Sequence, residues 1–483
     1  MGRRNKTEIV LENVLIENVA AEGNAVAHVD GMALFVPFAV PGDVVRVRVV
    51  KKKKSYMEGL VLDIVKPSEH RLEPFCPHFG VCGGCKWQPL PYPMQLQAKR
   101  RQVEDQFTRI GHLDLSGAVP SEDGNPVRPT VPSDKTQYYR NKLEFTFSSR
   151  RWLLPGENPE EIAPQDRQGL GFHVGRFFDK VLDIRECHLQ DSPSDAIRNF
   201  VREYAINQSL TFFDIRNHDG FLRNMVVRSN SAGDVMLTIV FYYEDKPARE
   251  GLLNALQANF PQIRSLYYVI NSKPNDSISD QQCILFGGED AIYETMENLR
   301  FKIGPKSFYQ TNSAQAYKLY SVAREFAALK GNEVVYDLYT GTGTIAQFVS
   351  AKASKVIGIE YVPEAIEDAK INAKANGISN CEFFAGDMKD VLTKDFIEAH
   401  GRPDVIILDP PRAGIHPDVA KVILDAAPER MVYVSCNPAS QARDLQILCG
   451  EPDAPKYRIT AIQPVDMFPQ TAHVENVVSL IKV

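Results

Sequence analysis

The stretch VVYDLYTGTGTIA, residues 334–346, decides the fold of the C-terminal part of the chain. An apolar run ends at Asp337, a glycine-rich turn follows, and helical composition resumes near Thr344. Strand, glycine turn and helix form the opening unit of a doubly wound α/β domain, which binds ligands at the carboxyl ends of its strands. Downstream the pattern repeats. Strand-like runs KVIGIE, CEFFAGD, DVIILDPP and MVYVSC alternate with helical segments, and NVVSLIKV closes the chain. Asp337, Glu360, Asp387, Asp409 and Cys436 all fall at or just beyond predicted strand ends. One edge of this domain therefore collects its chemistry.

The glycine turn has two functional readings beside a purely structural one. Gly341, Gly343 and Ala346 satisfy G-x-G-x-x-A, the dinucleotide fingerprint, with Glu360 placed to hold a ribose. The same residues fit an S-adenosylmethionine (SAM) loop. There Asp337 ends the first strand, small residues admit the ligand's amino-acid end, and Glu360 accepts from both ribose hydroxyls. IILDPPRAGI, 406–415, separates them. Asp-Pro-Pro after an apolar strand resembles the loop of methyltransferases that act on planar nitrogen. Arg412 stands where those enzymes carry a stacking aromatic, which leaves carbon methylation open.

In MVYVSCNPASQARDL, 431–445, Cys436 lies between a strand end and a helix that Asn437 would cap and Pro438 would begin. A helix N-terminus stabilises an anion, so the expectation is a lowered thiol pKa. The alternative is an inert buried cysteine.

The rest of the 483 residues divides in two. Alternating short strands over 7–66, punctuated by glycine and proline, predict a small β-barrel with the cationic run RVRVVKKKK, 46–54, on one strand. Such a run is either a solvated strand edge or an RNA-binding face. Residues 71–92 are rich in Cys, Gly and Pro; a helix is expected over 93–110, and the chain from about 125 to 300 reads as α+β. Domain boundaries follow at 1–67, 68–305 and 306–483.

Composition sets the class. Hydrophobic residues are 44%, charged residues 24%, and the net charge is −6, so a bulk nucleic-acid coat is excluded while a local basic face is not. No apolar run reaches membrane-span length and no charged-then-apolar leader opens the chain, so the cytoplasm is expected, with no membrane and no obligate protein partner. Eight cysteines without a secretion signal read as thiols or metal ligands. Cys76, Cys82 and Cys85 form C-x5-C-x2-C, with Cys187 the obvious fourth ligand. Spacing alone leaves zinc and an iron–sulfur cluster equally open, and His78 and His188 could also ligate.

With Asp-Pro-Pro-Arg, Ser-Cys-Asn-Pro and HVENVVSL in this order, the chain resembles the RNA uracil-5-methyltransferase family. It is most similar to the bacterial 23S ribosomal RNA branch, which carries a TRAM domain, an RNA-binding barrel, and an iron–sulfur cluster. The resemblance implies that Cys436 adds to uracil C6 and that Glu475 is the general base. It implies that Gln310, Tyr339, Glu360, Asp387 and Asp409 hold SAM. It also implies a [4Fe-4S] cluster on Cys76, Cys82, Cys85 and Cys187. Thr340 and Thr344 stand where relatives more often have Cys and Asn. RNA, most specifically 23S rRNA, is the expected partner, with tRNA as the alternative. Base flipping is expected, aided by QYYRNKLEFTFSSRRW, 137–152. Two rival classes remain, a nicotinamide oxidoreductase and a non-catalytic RNA-binding protein.

Overall fold

The computed structural model describes residues 9–175, 177–451 and 453–483. The first eight positions of the expected N-terminal domain lie outside it.

Strands β1 (Ile9–Leu15), β2 (Asn18–Val19), β3 (Ala25–Val29), β4 (Met32–Val36), β5 (Val44–Lys52) and β6 (Tyr56–Lys66) make one six-stranded sheet ordered β1-β5-β6-β4-β3-β2. Their inward residues, among them Val14, Ala27, Leu34, Val45, Val47 and Met57, form a core of their own. Alternation drives this: on β5, Val45 and Val47 are buried while Lys51 and Lys52 are exposed. Gly59 on β6 is required by close approach, because a Cβ there would meet Val47 Cγ1 at 2.3 Å.

Helix α1 (Tyr92–Asp105) follows. The central sheet then runs β7 (Lys142–Ser148), β8 (Gly169–His173), β9 (Val181–Asp183), β10 (Leu222–Ser229), β11 (Val235–Phe241), β12 (Ile263–Ile270) and β13 (Ile284–Gly288), ordered β13-β12-β11-β10-β7-β8-β9. Helices α2 (Ser194–Asn207) and α3 (Lys246–Asn259) bury their apolar stripes against it. The hairpin β14 (Ile292–Met296) and β15 (Leu299–Ile303) packs instead with the C-terminal core.

That C-terminal part begins with α4 (Ser313–Ala327), capped by Asn312, which accepts from Gln315 N at 3.2 Å. It continues β16 (Val334–Leu338), α5 (Thr344–Ser350), β17 (Lys355–Glu360), α6 (Pro363–Ala375), β18 (Cys381–Ala385), α7 (Met388–Val391), α8 (Lys394–His400), β19 (Val405–Leu408), α9 (Pro417–Ala426), β20 (Arg430–Ser435) and α10 (Pro438–Cys449). A two-residue pair, β21 (Gly450–Glu451) and β22 (Ala454–Pro455), leads to β23 (Tyr457–Val465) and β24 (Glu475–Lys482). The sheet order is β18-β17-β16-β19-β20-β24-β23. Successive strand residues feed opposite cores: Val335, Val356 and Val405 face α4–α6, while Tyr336, Ile357 and Ile406 face α9 and α10.

Two features differ from the reading of the sequence. β23 is not expected from the sequence; its second half, Ala461–Val465, is continuously buried and carries no alternation. β24 runs antiparallel to both its neighbours, β20 and β23, so β23 keeps the direction of the other strands. Helix α1, expected in the central region, packs on the C-terminal sheet. Val103 joins that sheet's core, as does Phe107 in the turn just after the helix, and Val127 and Val131 bridge to Ile462 and Val465. Among the described residues no helix is long and apolar enough to cross a membrane.

Candidate active site

The strand order lines up the expected residues. Asp387 follows β18, Glu360 ends β17, Tyr339 follows β16, Asp409 follows β19 and Cys436 follows β20. Four inter-strand steps separate the first from the last, about 19 Å. Because β24 is antiparallel, its first residue, Glu475, arrives at the same edge, paired across the sheet with Val465. A parallel last strand would have placed Glu475 at the opposite end.

One half of the edge is a cradle. Asp337 is buried; Ala346 N donates to its Oδ2 at 3.0 Å, and the Thr340 hydroxyl donates to the same oxygen. Its Oδ1 is buried without a partner. Burial pushes this carboxyl up to about 7. Gly341 adopts φ +57°, and a Cβ there would point into open space. Its N–H donates to Glu360 Oε2 at 3.1 Å, and Val362 N donates to Oε1 at 3.0 Å. Tyr339 is also left-handed, at φ +66°. Asp387 accepts from Lys389 N at 3.2 Å. Gln310 precedes α4, bonds through its side chain to buried Tyr320, and accepts at its carbonyl from Asn141 Nδ2 at 2.8 Å. An unpartnered buried carboxylate oxygen, an open glycine turn and a carboxylate at the end of the next strand fit the amino-acid end and ribose of SAM.

The other half gathers Cys436, Glu475, Asp409 and Arg412. Burial, with the Glu475 carboxyl beside it, pushes the Cys436 thiol up to about 11, while Arg412 pulls it down. This corrects the expectation of a lowered thiol pKa. Cys436 sits one residue outside the Asn437 cap, and the two neighbouring carboxylates and burial outweigh the helix end. Burial and Asp409 likewise hold Glu475 well above the carboxylate range. Asp409 is pushed up to about 7, chiefly by burial and then by Asp337.

Asn437, legible in the sequence only as a helix cap, and Ser440, Asp444 and Gly414, which carry no signal there, hold this half together. Asn437 Nδ2 and Ser440 Oγ both donate to Arg412 O at 3.0 Å, clamping the Pro-Pro-Arg turn to α10. Asp444 accepts from Ile415 N at 2.9 Å and Tyr433 OH at 2.6 Å. Gly414, at φ +82°, approaches so closely that a Cβ would meet Asp444 Oδ2 at 2.2 Å.

Cys76, Cys82, Cys85 and Cys187 all line one cavity of about 640 Å³, with His78, Arg140 and Thr471 on its wall. Burial raises all four thiols, Cys85 to about 11 and Cys187 to about 12. Among the described residues, no three His, Cys, Asp or Glu side chains stand grouped to hold a metal ion. In 137–152, Arg140 lies 5.3 Å from the Phe468 ring, Arg151 pairs with Glu157 at 2.7 Å and Arg150 with Asp214 at 3.4 Å. Part of that segment's charge is thus committed internally.

A doubly wound sheet with this cradle along its carboxyl edge defines a SAM-dependent methyltransferase. Residues 281–483 match the family described as tRNA (uracil-5-)-methyltransferase, and 13–69 match the TRAM domain of tRNA (uracil(54)-C(5))-methyltransferase. An uncharacterized RNA methyltransferase of Porphyromonas gingivalis is 57% identical, over 97% of this chain and 99% of that one. Another, from Halalkalibacterium halodurans, is 38% identical over 99% and 97%. The crystal structure of Pyrococcus abyssi tRNA (uracil-54, C5)-methyltransferase in complex with S-adenosyl-L-homocysteine has TM-score 0.74 at 28% identity, covering 98% of this chain and 100% of that one. The chain belongs to the RNA uracil-5-methyltransferase family, with an N-terminal TRAM domain.

Proposed function

We propose that the protein methylates C5 of a uridine in 23S rRNA through a covalent bond between Cys436 and uracil C6. The observation that carries this reading is the placement of one thiol beside one buried carboxyl, Glu475, with Arg412 and Asp409 against both. Uracil C5 is too weak a nucleophile to take a methyl unaided. The Cys436 thiol gives its proton to solvent water, Sγ adds to C6, and the C5=C6 π pair moves onto C5 and the neighbouring carbonyl oxygen as an enolate. Arg412 stabilises the thiolate as it forms. When bound, SAM supplies an electrophilic methyl and departs as S-adenosyl-L-homocysteine. C5 then bears both methyl and hydrogen. Glu475 takes the C5 proton, the C5=C6 bond re-forms, and Sγ is expelled with its electron pair. In this reading Asp337, Tyr339, Glu360, Asp387 and Gln310 bind SAM along the row of strand ends, and Asp409 marks where donor and base meet.

For the substrate, the pairing of a TRAM barrel with a four-cysteine cavity supports 23S rRNA, as in the bacterial branch the sequence resembles. A second reading, tRNA, is favoured by the Pyrococcus neighbour. That all four cysteines line one cavity supports a [4Fe-4S] group on Cys76, Cys82, Cys85 and Cys187, with zinc as the alternative. We place the protein in the cytoplasm, the site of both RNAs. The deciding experiment incubates the protein and SAM with 5-fluorouridine-containing rRNA and tRNA. An adduct mapped to Cys436 and to one rRNA uridine is expected; an adduct on tRNA alone overturns the rRNA assignment, and no adduct overturns the mechanism.

A further inference from the structure

Glu475 opens β24 directly after a nine-residue loop, 466–474, that returns from β23. A hairpin loop of that length has no intrinsic reason to hold one conformation. This one is fixed at its midpoint. Gln470 makes four hydrogen bonds: its N donates to Gln95 Oε1 at 2.9 Å, its Oε1 accepts from Gln95 Nε2 at 3.0 Å, and its carbonyl accepts from Lys86 N at 2.9 Å and Trp87 N at 3.1 Å. Both glutamines are buried, and Gln470 sits at φ +67°, a left-handed conformation a non-glycine residue keeps only when its surroundings impose it.

The rest of the loop is pinned to the same N-terminal elements. Buried Lys99 on α1 pairs with Asp466 and donates to Phe468 O at 3.1 Å. Tyr139 OH donates to Pro469 O at 3.0 Å. Thr471 lines the four-cysteine cavity, and Lys86 and Trp87 directly follow Cys85 in the chain. Trp87 Nε1 in turn donates to Gly23 O of the TRAM domain at 3.1 Å.

We infer that Gln95 is a positioning residue for Glu475. The reciprocal Gln95–Gln470 pair makes loop 466–474 a strut through which α1 and the cysteine strap set where the carboxyl meets the C5 proton. This rests on the reading of Glu475 as the base. It also gives the strap a mechanical part in turnover that requires no electron transfer.

The test separates the two chemical stages. With uridine-containing RNA and SAM, bond formation and methyl transfer precede the step that needs Glu475. Gln95→Ala is therefore expected to lower turnover at least tenfold while accumulating a denaturation-resistant protein–RNA adduct carrying the SAM methyl, with SAM affinity within twofold of wild type. Gln95→Glu keeps the acceptor for Gln470 N and loses the amide donor, and should fall between. Glu475→Gln is the reference. If it accumulates adduct and Gln95→Ala does not, losing adduct and turnover in proportion, the positioning role is overturned. If Glu475→Gln turns over like wild type, the base assignment itself fails, and the strut with it.

Discussion

Asn476 donates its side-chain amide to Gln441 Oε1 at 2.8 Å, tying the strand that starts with Glu475 to the helix that follows Cys436. Gln441 Nε2 completes the tie by donating to Tyr433 O at 2.9 Å and Asn476 O at 3.2 Å. One buried polar network thus joins the segments that carry Cys436 and Glu475. Gln441→Ala leaves the Asn476 side-chain amide without its partner and takes one hydrogen bond from each of two carbonyls, so a loss of about 2–3 kcal/mol is expected. Denaturant unfolding measures it, and turnover should fall further than the lost folded fraction explains.

Cys436→Ser should abolish turnover and every covalent adduct while leaving SAM binding intact, because the thiol lies outside the Asp337–Glu360 cradle. Isothermal titration with SAM and a methyl-incorporation assay, run on one preparation, check both halves. Normal methyl transfer by this variant would refute the covalent route. Glu475→Gln should slow turnover by roughly 10²–10⁴-fold, the usual span for removing a general base.

Asp337 and Asp409 both have carboxyls pushed up to about 7 by burial. The fold favours their neutral forms, so their stabilising contribution is complete below about pH 4, the unfolded value, and is lost as pH climbs through 7. The melting temperature of the SAM-free protein should decline across that window from this source, and Asp337→Asn should flatten the decline. Binding of the cationic donor runs the other way. SAM affinity should strengthen about tenfold from pH 6 to pH 8 as Asp337 ionises, and Asp337→Asn should remove the pH dependence along with most of the affinity.

Lys52, Lys53 and Lys54 are exposed at the end of β5 and in the turn that follows. Replacing all three with alanine should weaken RNA binding at low salt and lower the slope of log K against log salt by about 2, near 0.7 per lost phosphate contact. Methyl transfer to a short uridine-containing oligonucleotide should change little. A slope identical to wild type would show that the run is a solvated strand edge.

Local chemistry made much of this protein legible without a structure. The apolar runs of β16, β17, β19 and β20 carry β-branched residues bounded by turn signals, and the residues that end them are those on which a doubly wound sheet places its ligands. Asn437 and Pro438 announce the start of α10 because caps act over three or four residues. The TRAM strands alternate because one face meets a core and the other meets water.

Tertiary structure alone decided the rest. The second half of β23, Ala461–Val465, is buried on both faces and so has no period to read, and its hairpin with β24 brings Glu475 to the edge that holds Cys436. The raised pKa of the Cys436 thiol is illegible for the same reason: a helix end is visible in sequence, but burial and two carboxylates from positions 475 and 409 are not. Gln95 and Gln470 are separated by 375 positions, and only the fold makes them partners. Sequence encodes periodicity and capping, which are local. Desolvation and charge proximity depend on which distant segments share a volume, and that is settled only when the chain packs.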